Sequence, residues 1–523
     1  MTTRTISSGH TSSGLTVSSG NELKILSGGV AESITVLSGG TEYVSRGGLT
    51  SGAFVFYGGQ EFVEKGGVAS STSVTGADGV LILGQSVYGL AVGTVLNFGG
   101  TEVVESGGVT SATQLLDDSS ELVSAGGSAL GSLVDNGDLT VYGFASGAVI
   151  GSSGDEFLSS GGRATGTVLD SGGGIGFDSG GTILGTIVSS GGLADIVNAG
   201  VSSKTIVLDG GKEVTSAFAG FAGGVAISAT VFSGGLEIAS SGGVASAITV
   251  SQGGAIRISS AGVAIDTHVQ SGGAETLFQH GQASGTVISD GFVYDFGATF
   301  GTVVRSGGYE GVAGGAAASG SIVSNGGHLF VSSAGAAADT TIFNGGALNV
   351  ASGGLVSGGL TIHAGSATID GTMAAGQTVS FAGAAGTLKL DNLAAFGAAI
   401  SGFGGVSEKI DLGGFASGKS ETVKWSQSGT SGTLTVHDGA KIASLTLIGT
   451  YATGDFQLSR DGHGGTLIKD PTGGDAIPAA IRFTQAAAGV EGGRSAAGLD
   501  AVHAGGSALL GASPLAGMAT SGR

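Results

Sequence analysis

The chain has no cysteine, three prolines, one tryptophan and no apolar run long enough to cross a bilayer as a helix. Without cysteine it has neither disulfide staples nor thiolate metal sites, and over 523 residues that absence suits an extracytoplasmic bacterial protein. Basic residues are also scarce. Nineteen Lys and Arg face 39 Asp and Glu, for a net charge of −20, and no basic cluster appears, which excludes nucleic acid as a partner. The opening segment, Met1 to His10, lacks the apolar core of a secretory signal, so an export signal is expected elsewhere.

Chemistry-bearing patterns are missing too. The eight histidines (His10, His268, His280, His328, His363, His437, His463 and His503) show no metal-ligand spacing, and Asp461-Gly462-His463-Gly464 reads as a glycine-rich turn. There is no phosphate-cradling loop, and the isolated acids Asp195 and Asp266 mark no catalytic pair. Gly173 to Asp178 matches the start of a calcium-binding nonapeptide but has no tandem copy, and reads as a chance match. No catalytic residue and no cofactor is expected.

Glycine, with 109 residues, carries the information. Gly39-Gly40 leads to Gly58-Gly59, Gly172-Gly173 to Gly191-Gly192 and Gly210-Gly211, and Gly234-Gly235 to Gly253-Gly254 and Gly272-Gly273, each a step of 19 residues. Gly47-Gly48 and Gly66-Gly67 interleave, so each repeat holds two glycine corners and two short strands. Three residues before the leading glycine stand Val36, Val55, Leu96, Leu169, Val188, Val207, Val231, Val250, Val269, Ile288, Val304, Val323 and Ile342. A column so uniformly aliphatic fits strands stacked on their own copies in the next coil.

A fixed period near twenty residues with glycine corners predicts an all-β parallel β-helix, because one repeat cannot bury its apolar face alone. The longer step from Gly210 to Gly234 and the shorter one from Gly291 to Gly307 place their length changes in corners. The predicted organisation is a β-helix of about 19 coils over residues 1–376, of the order of 90 Å long, then a small antiparallel β cap over 377–470 and an Ala/Gly-rich flexible tail over 471–523. Thr422 to Ser426, Gly432 to Gly439 and Ile442 to Gly449 alternate like hairpin strands, which would cover the last coil's open edge. The tail has the composition of an uncleaved C-terminal export signal.

The segment ESITVLSGGTEYVSRGGLTSGAFVFYGGQEFVEKGGVASS, Glu32 to Ser71, resembles the strand-loop-strand repeats of AIDA-type autotransporter passenger domains. The resemblance implies a surface-exposed β-helical adhesin or biofilm factor of a Gram-negative bacterium, in some members O-glycosylated by a glycosyltransferase on Ser or Thr. Corner hydroxyls such as Ser51, Ser70, Ser71, Ser240 and Ser241 would be the acceptors. The family also implies a long C-terminal β-barrel ending in an aromatic strand. The chain after the repeats is shorter than that and ends Ser521-Gly522-Arg523, so self-transport is not expected. Tyr451 to Asp470 is similar to a terminal module that follows such repeats in secreted proteins of α-proteobacteria.

One polar column stands out, three residues after the leading glycine: Glu42, Glu61, Glu102, Glu213, Glu237, Glu275 and Glu310. The residue after each is usually apolar, as at Tyr43, Phe62 and Val103, so alternation is read as placing the glutamates outside. Outside, they form a solvated face that keeps the protein soluble, or a ladder that a bridging cation such as calcium would relieve. Threonines five before the leading glycine, among them Thr94, Thr186, Thr205, Thr267, Thr286, Thr302 and Thr340, occur singly, without the paired ranks of an ice-binding face.

The sequence thus reads as a secreted or cell-surface, non-enzymatic protein of adhesion, autoaggregation or biofilm matrix. Its expected partners are host or bacterial surface glycans or proteins, or further copies of itself, met by weak contacts repeated along the β-helix. The alternatives are a carbohydrate-binding or carbohydrate-active β-helix, and an exported rod that assembles laterally in a surface layer.

Overall fold

The computed structural model describes residues 2–469, apart from 78–81, 178, 219, 260, 416–417 and 419–420. The expectations for the tail, and for Asp178 of the nonapeptide match, lie outside the described residues. Within the compact unit Met1–Ala476 the chain winds into a parallel β-solenoid of about 21 turns. Each turn adds one strand to a 24-stranded sheet, here called the long face, and two to a 42-stranded sheet.

One coil shows the logic. Thr41–Val44 lies on the long face, Leu49–Ser51 and Phe54–Val55 on the other sheet, and the next coil repeats them in register as Gln60–Val63, Val68–Ser70 and Ser73–Thr75. The paired glycines form the first two corners. Gly58 adopts φ +76°, and a Cβ on Gly59 would stand 2.7 Å from the Val36 carbonyl oxygen of the preceding coil, so stacking itself demands glycine there. A third corner, not anticipated from the glycine pairs, splits the remaining segment in two. It needs a single left-handed residue, filled by Gly52 at φ +64° but by Ser33 at φ 50° and Ser71 at φ 53° in neighbouring coils, and so leaves no glycine pair in the sequence.

The aliphatic column points inward as expected. Val36 pairs with Val55 and Val55 with Val74, and all thirteen residues read into the column are buried. The long step after Gly210 leaves the phase intact, since Lys212–Thr215 pairs with Leu236–Ala239 rung on rung while the extra residues loop outward, exposing Phe218 by 58% and Phe221 by 61%.

Parallel stacking continues past Gly376 through Thr378–Phe381, Ala385–Leu390, Ala399–Ser401 and Ser407–Leu412. The hairpins read from alternation then form: Thr422–Ser428, Ser431–Asp438 and Lys441–Ile448 make an antiparallel meander whose last strand lies on Ala399–Ser401. Thr466–Lys469 runs antiparallel to Ser407–Leu412, so both sheets end against cap strands, which removes the open parallel edge. Trp425 packs with Tyr451 and Phe456 at ring-centroid distances of 5.2 and 5.8 Å, and the Tyr451 hydroxyl donates to the Phe403 carbonyl at 2.6 Å, tying the cap to the solenoid.

A buried carboxylate column as the candidate functional site

The long-face glutamates point the opposite way from the sequence reading. Glu42, Glu61, Glu102, Glu213, Glu237, Glu275 and Glu310 are all 0% exposed. In Thr41–Val44 the inward residues are Glu42 and Val44 while Thr41 and Tyr43 face out, and the same alternation recurs in Gln60–Val63. The apolar residue after each glutamate misled the reading. The aliphatic residue two positions on (Val44, Val63, Val104) is the one that shares the glutamate's face and fixes it inside.

Stacking makes these side chains rungs of one interior column. It runs Leu23, Glu42, Glu61, Gln85, Glu102, Glu121, Leu139, Glu156, Ile175, Ala194, Glu213, Glu237, Ile256, Glu275, Val293 and Glu310 along successive register pairs. Sequence reasoning missed Glu121 and Glu156. Glu121 follows Asp117-Asp118 and Glu156 follows Ser153-Gly154, where the chain has no glycine pair to count from.

Hydroxyls from the other sheet meet the carboxylates across the interior. Thr50 donates to Glu42 at 2.9 Å, Thr113 to Glu102 at 3.0 Å, Thr167 to Glu156 at 2.9 Å and Thr299 to Glu310 at 2.9 Å. Glu121 receives two, from Thr110 at 2.6 Å and Ser132 at 2.7 Å, and Gln85 donates its amide to Glu61 at 2.5 Å while accepting from Thr94 at 3.1 Å. The single threonines before the leading glycines are therefore interior residues. Thr94, Thr186, Thr205, Thr267, Thr286, Thr302 and Thr340 are all buried.

No Lys or Arg is among the buried side chains described, and the ion pairs Lys24–Glu22 and Lys389–Asp391 lie at the surface. Burial without a counter-charge disfavours the ionised form. It pushes Glu61, Glu156 and Glu310 up to about 7 and Glu275 to about 8, against the hydroxyl and amide donors that favour the anion. Glu42 and Glu102 are raised well above the usual carboxylate range, by burial and then by the neighbouring Glu61 and Glu121. Glu213 and Glu237 sit on adjacent rungs, and Glu237 is raised well above the usual carboxylate range by burial and then by its neighbour's charge. The chemistry open to this column is that of a neutral acid ladder, in which Glu42, Glu61, Glu102, Glu121, Glu156 and Glu310 are held by hydrogen bonds across the interior. Among the described residues no three acidic or histidine side chains converge where an ion could be held.

The other expected features fall into place simply. His463 lies in the turn between Gln457–Arg460 and Thr466–Lys469, its amide donating to Asp461 at 2.6 Å. Ser71 and Ser241 are exposed at corners, whereas Ser51, Ser70 and Ser240 are half-buried. Asp266 is exposed and Asp195 half-buried on the outside of the long face. That outer surface also carries aromatic rungs: Tyr43 stacks on Phe62 with centroids 5.3 Å apart, and Phe292, Tyr294 and Tyr309 form a second group with centroids 6.3 to 6.5 Å apart.

Residues 233–291 match the family described as adhesin of bacterial autotransporter system, probable stalk. They span coils with the glycine corners, the inward aliphatic column and the buried glutamates Glu237 and Glu275, and this stretch is similar to an AIDA-type stalk repeat. A solved structure, that of a TibC-catalysed hyper-glycosylated TibA fragment, is 25% identical over 68% of this chain and 100% of its own, with a TM-score of 0.34. No curated protein matches the chain.

Proposed function

We propose that the solenoid is the stalk of an adhesin-like protein, secreted or displayed on the surface of a Gram-negative bacterium, that acts in adhesion, autoaggregation or biofilm matrix. The observation that carries this is the AIDA-type stalk repeat at 233–291, continuous in register with the coils before and after it. The protein is structural rather than enzymatic: its acidic column, the densest run of titratable groups, is sealed inside where no substrate reaches it. What varies from coil to coil is the outward set of side chains, so contacts would be weak, repeated and summed along the stalk.

Exposed corner hydroxyls, Ser71 and Ser241 first, are the places where an O-glycosyltransferase would act. Intact mass of protein taken from its native host, with and without alkaline β-elimination, reads this directly.

The test of the function is fractionation of the native strain into cytoplasm, cell surface and medium, together with adherence and settling assays of a deletion strain. Surface or medium localisation with lost aggregation or adherence supports the reading. Protein confined to the cytoplasm, or a deletion strain that adheres and settles as before, contradicts it.

A further inference from the structure

The long face changes character between Ala255 and Asn349. Phe292 and Tyr294 project outward from one strand with nearly parallel rings, 6° apart, and Tyr309 stands on the next rung beside Phe292, tilted by 52°. Phe330 follows one rung further, opposite Gly311, whose missing side chain lets the Tyr309 ring lie across it beside Tyr294. Phe292 and Tyr294 keep 41% and 43% of their surface in solvent. Exposed aromatic groups of this size mark contact sites more often than chance positions do.

Outward charge on this stretch also differs from that on the strands Gly137–Val141 and Asp155–Leu158 of the same sheet. Asp138 and Asp155 face outward on adjacent rungs earlier on the same sheet, but among the described residues no carboxylate occupies an outward long-face position from Ala255 to Asn349. Instead Arg257 lies exposed two rungs before Tyr294 in the same column, and His328 lies exposed one rung after Tyr309. In a chain of net charge −20, the aromatic group is bracketed by a cation and an imidazole.

We propose that this stretch of the long face binds an acidic polysaccharide, a chain of pyranose rings bearing carboxylates, laid along the stacking axis. The proposal rests on the surface-display reading above and adds the class of ligand. Rungs repeat every ~4.8 Å, about the length of one sugar ring, so successive rings meet successive aromatic rungs through their apolar faces. The Tyr294 and Tyr309 hydroxyls border those faces and hydrogen-bond sugar hydroxyls, and Arg257 takes a carboxylate as a charge-assisted pair. A second copy of the chain fits less well: four half-covered rings offer far less than the roughly 800 Å² per partner of a stable interface.

The experiment uses the purified full chain in affinity electrophoresis through gels containing polygalacturonate or neutral dextran. Polygalacturonate is expected to retard the wild type, with retardation weakened at least tenfold by Tyr294→Ala combined with Tyr309→Ala, several-fold by Arg257→Ser, and by added salt; dextran should bind more weakly. These side chains face solvent, so circular dichroism should be unchanged, and Arg257→Ser tests the site without touching a ring. Unchanged retardation of the variants, equal binding of dextran, or a concentration-dependent dimer abolished by the same substitutions would each overturn the proposal. A strain carrying Tyr294→Ala and Tyr309→Ala that adheres like the wild type, while the deletion strain does not, would sink the platform and leave the stalk reading standing.

Discussion

Replacing Glu156 by glutamine should make the solenoid more stable in alkali and change little in acid. Glu156 is the cleanest member of the column, because its register neighbours are Leu139 and Ile175 and burial alone raises it, opposed by Thr167. Its carboxyl goes from an ordinary 4.5 in the unfolded chain to about 7 in the folded one. Below pH 4.5 both states hold the proton and Glu156 imposes no penalty. As pH rises through 7 the unfolded chain releases the proton first, and stability falls by an amount approaching about 3 kcal/mol.

Glutamine keeps an oxygen for the Thr167 hydroxyl and cannot ionise. At pH 5 the variant should lie within about 1 kcal/mol of the wild type; at pH 8 it should be ahead by about 2.5 kcal/mol relative to its pH 5 position. For a chain of this size the unfolding entropy is about 1 kcal/mol per kelvin, so the melting temperatures should separate by roughly 2–3 °C between the two pH values. Thermal melts followed by far-ultraviolet circular dichroism measure this. An equal separation at pH 5 and pH 8 would refute a buried, proton-holding Glu156.

Other consequences are as direct. Thr167→Val should cost about 1 kcal/mol where Glu156 is present and less in a Glu156→Leu background, which has no acceptor for the hydroxyl, as a double-mutant cycle in urea would show. Gly59→Ala should destabilise by about 1–3 kcal/mol, since its methyl group meets the Val36 carbonyl oxygen at 2.7 Å; a melt identical to the wild type would mean the coils are not stacked this closely. Tyr451→Phe removes the hydroxyl bond to Phe403, and Trp425 fluorescence should then report cap loosening at lower urea than the circular dichroism of the solenoid. Excess calcium or a chelator should leave the melting temperature within error, because the acidic column is closed to solvent.

The solenoid was legible because its constraints are local and periodic: a Gly59-type corner tolerates no side chain, and a Val55-type position always meets its own copy. The third corner was not, since one left-handed residue suffices and Ser33 or Ser71 serves as well as Gly52. The direction of the glutamates was recoverable from the chain yet was misread. Leu23, three residues after Gly20, occupies the same position as Glu42, and Ile256, Leu329 and Leu348 hold it in later coils, so the slot is apolar by default. The hydroxyl donors could not be seen from sequence, because Thr113 reaches Glu102 only across the interior that closing the coil creates.

The central claim is that the acidic column lies inside the solenoid and is held neutral. Infrared spectroscopy of protein carrying ¹³C-labelled glutamate, titrated in heavy water from pH 4 to 9, addresses it directly. Protonated glutamate carboxyl bands should persist at pH 6 to 7, and those of Glu61, Glu156, Glu310 and Glu275 should vanish only as the pH passes about 7 to 8. Ionisation of every glutamate near pH 4.5, with the fold intact, would place the column in water and contradict the claim.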